Sequence, residues 1–246
     1  MGCGEKVLQV PESLNRTSVR ELARSIDSAM QDDTVVAVVL QGTRETFCRG
    51  LDFDEIADAG NAAGAPTEAI EDYCRCLRAL RFSDKPTIAL VQGASIGGGV
   101  GLVAACDVVL AIETATFGLP EVLFGFAPAM VLPFLLERVS RRTARIWALT
   151  AATRSAKEAL AEGLVDALVE ETDLPGELRR WMKLLRRGQR RGVKAVKQLC
   201  ATMPSLDQIA GLDLGHQSTL TALREPEVLR AITRFKAEGI LPWESP

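Results

Sequence analysis

Apolar positions follow two rhythms along this chain, and the changes between them outline its elements. In "LNRTSVRELARSIDSAM" (residues 14–30) they recur at helical spacing, with Asn15 or Thr17 placed to cap the first turn. "TVVAVVLQG" (34–42) is instead a β-branched apolar run closed by glycine, the pattern of a buried strand. "TEAIEDYCRCLRALRF" (67–82) returns to the helical period, with Ile70, Tyr73, Leu77 and Leu80 on one stripe. "PTIALVQG" (86–93) predicts a second strand, "GGVGLVAAC" (98–106) opens a helix of small residues, and "DVVLAIE" (107–113) predicts a third strand. Strands alternating with helices imply an α/β class with largely parallel pairing.

From about residue 129 the pattern is helical. "AMVLPFLLERVSRRTARIWALTA" and "SAKEALAEGLVDALV" carry the 3.6-residue period, and Gly163 marks a helix end before a short strand. "DLPGELRRWMKLLRRG", "GVKAVKQLCATM" and "EPEVLRAITRFKAEG" predict three further helices. No repeat, low-complexity tract or long linker interrupts the chain. One large domain followed by a helical C-terminal region accounts for its 246 residues.

Composition changes little in this picture. The 47% hydrophobic and 25% charged residues are those of a soluble globular protein, and only 5% are aromatic, so Ala, Leu, Val and Ile must build the core. A net charge of -3 offers no general attraction to nucleic acid. Thr87–Cys106 runs 20 residues without a charge, enough on paper to span a bilayer. Its five glycines, Gln92 and Ser95 mark strand, turn and helix instead, so no membrane span is expected. The cysteines (Cys3, Cys48, Cys74, Cys76, Cys106, Cys200) and the single histidine, His216, form no metal pattern, and no metal is expected. They imply reduced thiols in a cytoplasmic protein. Lys6 stands where N-myristoylation of Gly2 wants Ser or Thr.

Local charge is less even. Residues 179–197, "RRWMKLLRRGQRRGVKAVK", hold nine Lys or Arg and no acid, whereas residues 45–72 hold eight acids against Arg49 alone. Both stretches fit solvated helix faces, and the basic one also fits a dock for phosphates or an acidic partner.

The glycines of "VQGASIGGGVGL" (91–102) admit three explanations. Gly99, Gly101 and Ala104 match a dinucleotide fingerprint, but the acid that would close the next strand, Glu113, comes only 14 residues after Gly99, leaving a short helix between strands. Small residues also let a helix pack closely on a sheet. Finally, a glycine run opening a helix leaves backbone N–H groups unsatisfied, and these can stabilise an oxyanion if no side chain bars its approach. "ETFCRGLDF" (45–53) offers a second such amide at Leu51, after a turn that Gly50 permits.

In order and spacing, "FCRGLDF", "QGASIGGGVGLVAACDVVLA", "ATFGLPEVLFGFAP" and "LTAATRSAKEALAEGLVDALV" resemble the enoyl-CoA hydratase/isomerase (crotonase) superfamily. The resemblance implies a crotonase-like spiral of ββα units over 1–190, and helices over 191–246 that assemble a homotrimer or a dimer of trimers. It also implies oxyanion donors at the amides of Leu51 and Gly98, beside Gly97. Hydratases of the family carry two glutamates. One position is Gly101 here and the other is Glu121, so a single carboxylate is left to move protons. Buried among Phe117, Leu119 and Phe124, that carboxyl should have a raised pKa.

"EVLFGFAPAMVLPFLLERVSRRTARIWALTA", "LLRRGQRRGVKAVKQ" and "LPWE" further resemble the crotonase-like dehydratases of polyketide β-branching cassettes. That resemblance implies dehydration of 3-hydroxy-3-methylglutaryl-acyl carrier protein to the 3-methylglutaconyl thioester. No cofactor is implied beyond the phosphopantetheine, or CoA, that carries the substrate, and the carrier protein becomes the partner for 179–197. A single-glutamate isomerase of free CoA esters and a non-catalytic scaffold are the alternatives. Arg49 and Tyr73 are further candidate substrate contacts, while Asp52 is expected to anchor its own turn, His216 to cap a helix or line an interface, and Trp147 and Trp181 to pack.

Overall fold

A computed structural model describes residues 4–59 and 67–244; Gly2 and Cys3 lie outside the described residues. Strand β1 (Glu5–Gln9) leads through the Asn15-capped helix α1 (Arg16–Gln31) to β2 (Ala37–Gln41). Then come β3 (Thr46–Cys48), α2 (Phe53–Ala59), α3 (Thr67–Phe82), β4 (Thr87–Val91), β5 (Ala94–Ile96) and α4 (Gly98–Ala105). After β6 (Val108–Ile112) and β7 (Thr116–Gly118) follow α5 (Leu132–Arg138), α6 (Arg141–Thr150), β8 (Arg154–Ser155), α7 (Ala156–Glu162) and β9 (Ala167–Val169). Helices α8 (Leu174–Leu185), α9 (Arg190–Thr202), α10 (Gln208–Leu223) and α11 (Pro226–Glu238) complete the chain.

The strands form two sheets. One runs β1-β2-β4-β6-β9 with every neighbour parallel, in registers such as Val39↔Ile88 and Ala89↔Val109. Its central strands are apolar along nearly their whole length, as strands buried on both faces are. The second sheet, β3-β5-β7-β8, is parallel except at its last pair. Each turn of the spiral therefore lays a long strand in one sheet and a short one in the other.

The strands of the second sheet are absent from the sequence reading, because two or three residues cannot display a period of two. The short β9, in contrast, was expected from the helix end at Gly163. The single helical stretch expected across 129–151 is two helices, separated where Val139 turns extended and Ser140 caps α6 through the Thr143 amide. Helix α10 was also not expected: Gly211, Gly215 and three threonine or serine residues erase its apolar stripe. His216 lies exposed inside α10 and caps nothing.

The uncharged stretch 87–106 is β4, β5 and α4, and no helix among the described residues is long and apolar enough to cross a membrane. Helix α9 is tied to the core by Lys197, which is buried and donates to the carbonyls of Leu80 and Lys85 and to Asp107 Oδ2 at 2.8 Å.

Candidate active site

The second sheet assembles the site. Because β3 pairs with β5 and β5 with β7, the chain leaving all three strands emerges at one edge, where parallel strands present their carboxyl ends. Residues 50–51, 97–98 and 119–121 thus become neighbours. The Gly97 amide donates to Gly118 O at 2.8 Å, which fastens the glycine turn to the segment carrying Glu121.

Two of these turns need glycine for defined reasons. Gly50 has φ +81°, and a β-carbon on it would lie 2.9 Å from Ile96 O and 3.0 Å from Gly98 N. Gly97 has φ +52°, and its β-carbon would lie 3.1 Å from Glu121 Oε1. Gly99 serves packing alone, since a β-carbon there would be 2.3 Å from Cys48 O. The glycine run therefore divides between packing and site. The dinucleotide explanation fails, because α4 begins at Gly98 and Glu113 is an exposed residue paired with Lys157.

Leu51 forms a parallel bridge with Leu14 in which Leu14 N donates to Gly50 O and Asp52 N to Leu14 O. Alternation along the backbone then sends the Leu51 N–H the other way, and it meets no acceptor among the described residues. Gly98 is the first residue of α4, so its N–H has no partner inside the helix, and none is found among the described residues. Asp52 holds the Leu51 turn in place: it accepts from Ser13 Oγ at 2.9 Å and caps α2 through the amides of Asp54 and Glu55. These bonds lower its pKa and make it an anchor.

Leu51, Gly98, Tyr73 and Glu121 line one cavity of about 190 Å³, closed by Leu14, Ile70 and residues 126–131. Glu121 opens a one-turn 3₁₀ helix ended by Gly125, is 7% exposed, and its Oε2 has no hydrogen-bond partner. Burial raises its pKa above the ordinary 4.5, against a smaller opposing effect of its own amide. The apolar wall differs in one respect from expectation. Phe124 is 59% exposed and meets the Phe53 ring at a tilt, centroids 4.7 Å apart, whereas Phe126 and Met130 line the cavity.

Chemically, such a pocket offers two N–H donors to an anionic oxygen and one carboxyl group to a carbon-bound proton. Tyr73 belongs to the lining, its hydroxyl donating to Gly98 O at 2.6 Å. Gly101 borders it from α4. Arg49 stands apart: its side chain is largely exposed and pairs with Glu12 at 3.0 Å.

The basic stretch is partly spent within the fold. Arg180 pairs with Glu177, Arg190 with Asp33 and Asp84, Arg191 with Glu225 and Lys197 with Asp107, while Arg187 lies over Trp243. Arg179, Lys183, Arg186 and Lys194 remain exposed with no carboxylate partner among the described residues. Arg179 and Lys183 on α8 and Arg186 at its C-terminal cap share one face by their spacing. Trp147 is fully buried and Trp181 packs on the core, as expected. No group of side chains suited to a metal ion occurs among the described residues.

Comparison with known proteins bears on the family and the fold. Residues 8–246 match the family described as Enoyl-CoA hydratase/isomerase. The bacillaene synthase dehydratase PksH of Bacillus subtilis is 34% identical over 94% of this chain and 88% of its own. Among solved structures, Pseudomonas aeruginosa AtuE superposes with a TM-score of 0.87 at 31% identity, covering 98% of this chain and 96% of that one. A putative polyketide biosynthesis enoyl-CoA hydratase (pksH) from Bacillus subtilis gives 0.73 at 30%, covering 98% and 97%.

Proposed function

Since the chain belongs to the enoyl-CoA hydratase/isomerase family, we propose that it dehydrates 3-hydroxy-3-methylglutaryl-acyl carrier protein to the 3-methylglutaconyl thioester in polyketide β-branching. Membership of the family and likeness to a dehydratase make it a crotonase-fold hydro-lyase. Its particular substrate is inferred from the likeness to PksH together with the site.

One observation carries the mechanism: the buried, partner-free Glu121 oxygen shares a cavity with the unsatisfied amides of Leu51 and Gly98. Ionised Glu121 takes the α-proton. The C–H electrons pass into the thioester carbonyl, whose oxygen becomes negative and is held by the two N–H groups. Glu121, now protonated, gives the same proton to the β-hydroxyl. The Cβ–O bond breaks, water leaves, and the enolate electrons close the Cα=Cβ double bond. Glu121 ends as a carboxylate, so one acid completes the cycle, and no step calls on a cofactor.

The thioester arrives on a phosphopantetheine arm, and the unpaired cations along α8 are the docking face for an acidic carrier. Exposed Ile209, Leu212, Leu229, Ile232 and Phe235 on α10 and α11 are the surface for assembly of a trimer or a dimer of trimers. Mass spectrometry of the hydroxymethylglutaryl carrier protein after incubation should show loss of one water; an unchanged mass would refute the assignment.

A second reading draws on the neutralised part of the basic stretch. With five of its cations engaged internally, the stretch offers a carrier less charge, which suits free CoA esters, and a lone Glu121 can also return the proton to a different carbon. Double-bond migration in a 3-enoyl-CoA, with the carrier substrate untouched, would favour that isomerase.

A further inference from the structure

The chain has a single tyrosine, and its position is enforced from two sides. Tyr73 is 4% exposed on the inner stripe of α3, with its hydroxyl proton committed to Gly98 O at 2.6 Å. A β-carbon on Gly101 would come within 2.0 Å of that hydroxyl and 3.2 Å of Val131 Cγ2. Glycine at 101 is thus what admits the phenol to the cavity. Among the described residues lining that cavity, only Tyr73 and Glu121 have polar side chains. Burial pushes the phenol well above its ordinary pKa of 10.0, so it stays neutral and is no proton shuttle. A hydroxyl that donates once still has lone pairs to accept with, and no described residue donates to Tyr73.

We propose that the Tyr73 oxygen accepts a hydrogen bond from the substrate's β-hydroxyl and thereby holds the leaving oxygen toward Glu121. The inference rests on the dehydration assigned above. A β-hydroxyl entering this apolar pocket loses its water, and leaving its O–H without an acceptor is unfavourable. Glu121 cannot be that acceptor when it must deliver its proton to the same oxygen. Tyr73 is the remaining polar side chain among the described lining residues, and Gly98 fixes its orientation. Rotation about the Cα–Cβ bond is then restricted to the arrangement in which the removed proton and the departing oxygen face one carboxyl group. Tyr73 gains and loses no proton; as the Cβ–O bond breaks, the same hydrogen bond passes to the departing water.

The test compares two reactions in one preparation of Tyr73→Phe. Dehydration of the 3-hydroxy-3-methylglutaryl thioester is followed by mass spectrometry. Exchange of the α-proton of a saturated acyl thioester into deuterated water, which needs only Glu121 and the two amides, is followed by NMR. The expected result is a loss of about 10- to 100-fold in dehydration, the worth of one buried hydrogen bond, with exchange altered by less than about twofold. Because both rates come from the same sample, partial misfolding cancels in their ratio. Equal losses would show that the phenol acts only by bracing Gly98, and unchanged dehydration would show that it does not meet the substrate; either overturns the proposal. Wild-type enzyme that exchanges α-protons yet dehydrates no hydroxyacyl thioester would instead remove the dehydratase assignment, and this inference with it.

Discussion

Glu121 Oε1 lies 3.1 Å from the point where Gly97 would carry a β-carbon, so carboxyl group and bare backbone occupy complementary space. The contact is made because Gly97 N bonds to Gly118 O, three residues before the acid. It places the carboxyl group against the turn whose next amide, at Gly98, is free.

Glu121→Gln keeps this shape and removes the base. Turnover should fall by about 10²–10⁴, the usual share of a general acid–base. The acid's raised pKa also sets the pH behaviour. Folding favours its protonated form, so its contribution to stability is full below the unfolded pKa and is lost as pH rises through the folded value. Glutamine should therefore raise the melting temperature near pH 8 relative to pH 5, while in wild type the acidic limb of kcat/KM should lie above 4.5. A limb at or below that value would contradict the buried placement.

Gly101→Ala should destabilise the protein by about 1–3 kcal/mol through overpacking against the Tyr73 hydroxyl. In a Tyr73→Phe background the nearest atoms become Val131 Cγ2 at 3.2 Å and the ring carbon at 3.3 Å, and less than half of that cost should remain. A double-mutant cycle by chemical denaturation measures this coupling. Additive effects would mean that the two residues do not share the space.

Lys197 replaced by Ala strands the acceptors gathered around its ammonium: two carbonyls, Ser83 Oγ and Asp107. Loss of one partner of a buried ion pair should cost roughly 3–5 kcal/mol. Denaturant titration would detect it, and a loss under about 1 kcal/mol would mean that Lys197 does not anchor α9.

Reversing Arg179, Lys183 and Arg186 to Glu should raise KM for the carrier-bound substrate at low salt by about tenfold or more. Turnover of the same acyl group on free pantetheine should be unchanged, because these side chains lie outside the cavity. Equal kinetics with the carrier would remove α8 as the docking face. Arg49→Glu is the matching control, paired as that residue is with Glu12.

Periodicity and residue type determined much by themselves. Strands β2, β4 and β6, a cap for α1 at Asn15 or Thr17 and the apolar stripe of α3 follow from spacing within short windows, where neighbours in sequence are neighbours in space. The lone acid in "FGLPE" stood out only through the family resemblance. The second sheet was not legible, because β3, β5, β7 and β8 are too short to show a pattern. Nor was the helix α10, whose glycines and hydroxyl residues hide its period. Only the tertiary structure decided how the site is put together. Pairing of β3, β5 and β7 brings together residues from positions 50, 97 and 121. It also assigns Gly99 to packing, turns Arg49 and Phe124 outward and brings Tyr73 against Gly101. A sequence specifies what each residue can offer, but distance, burial and the direction of an N–H are properties of strand register and packing across the chain.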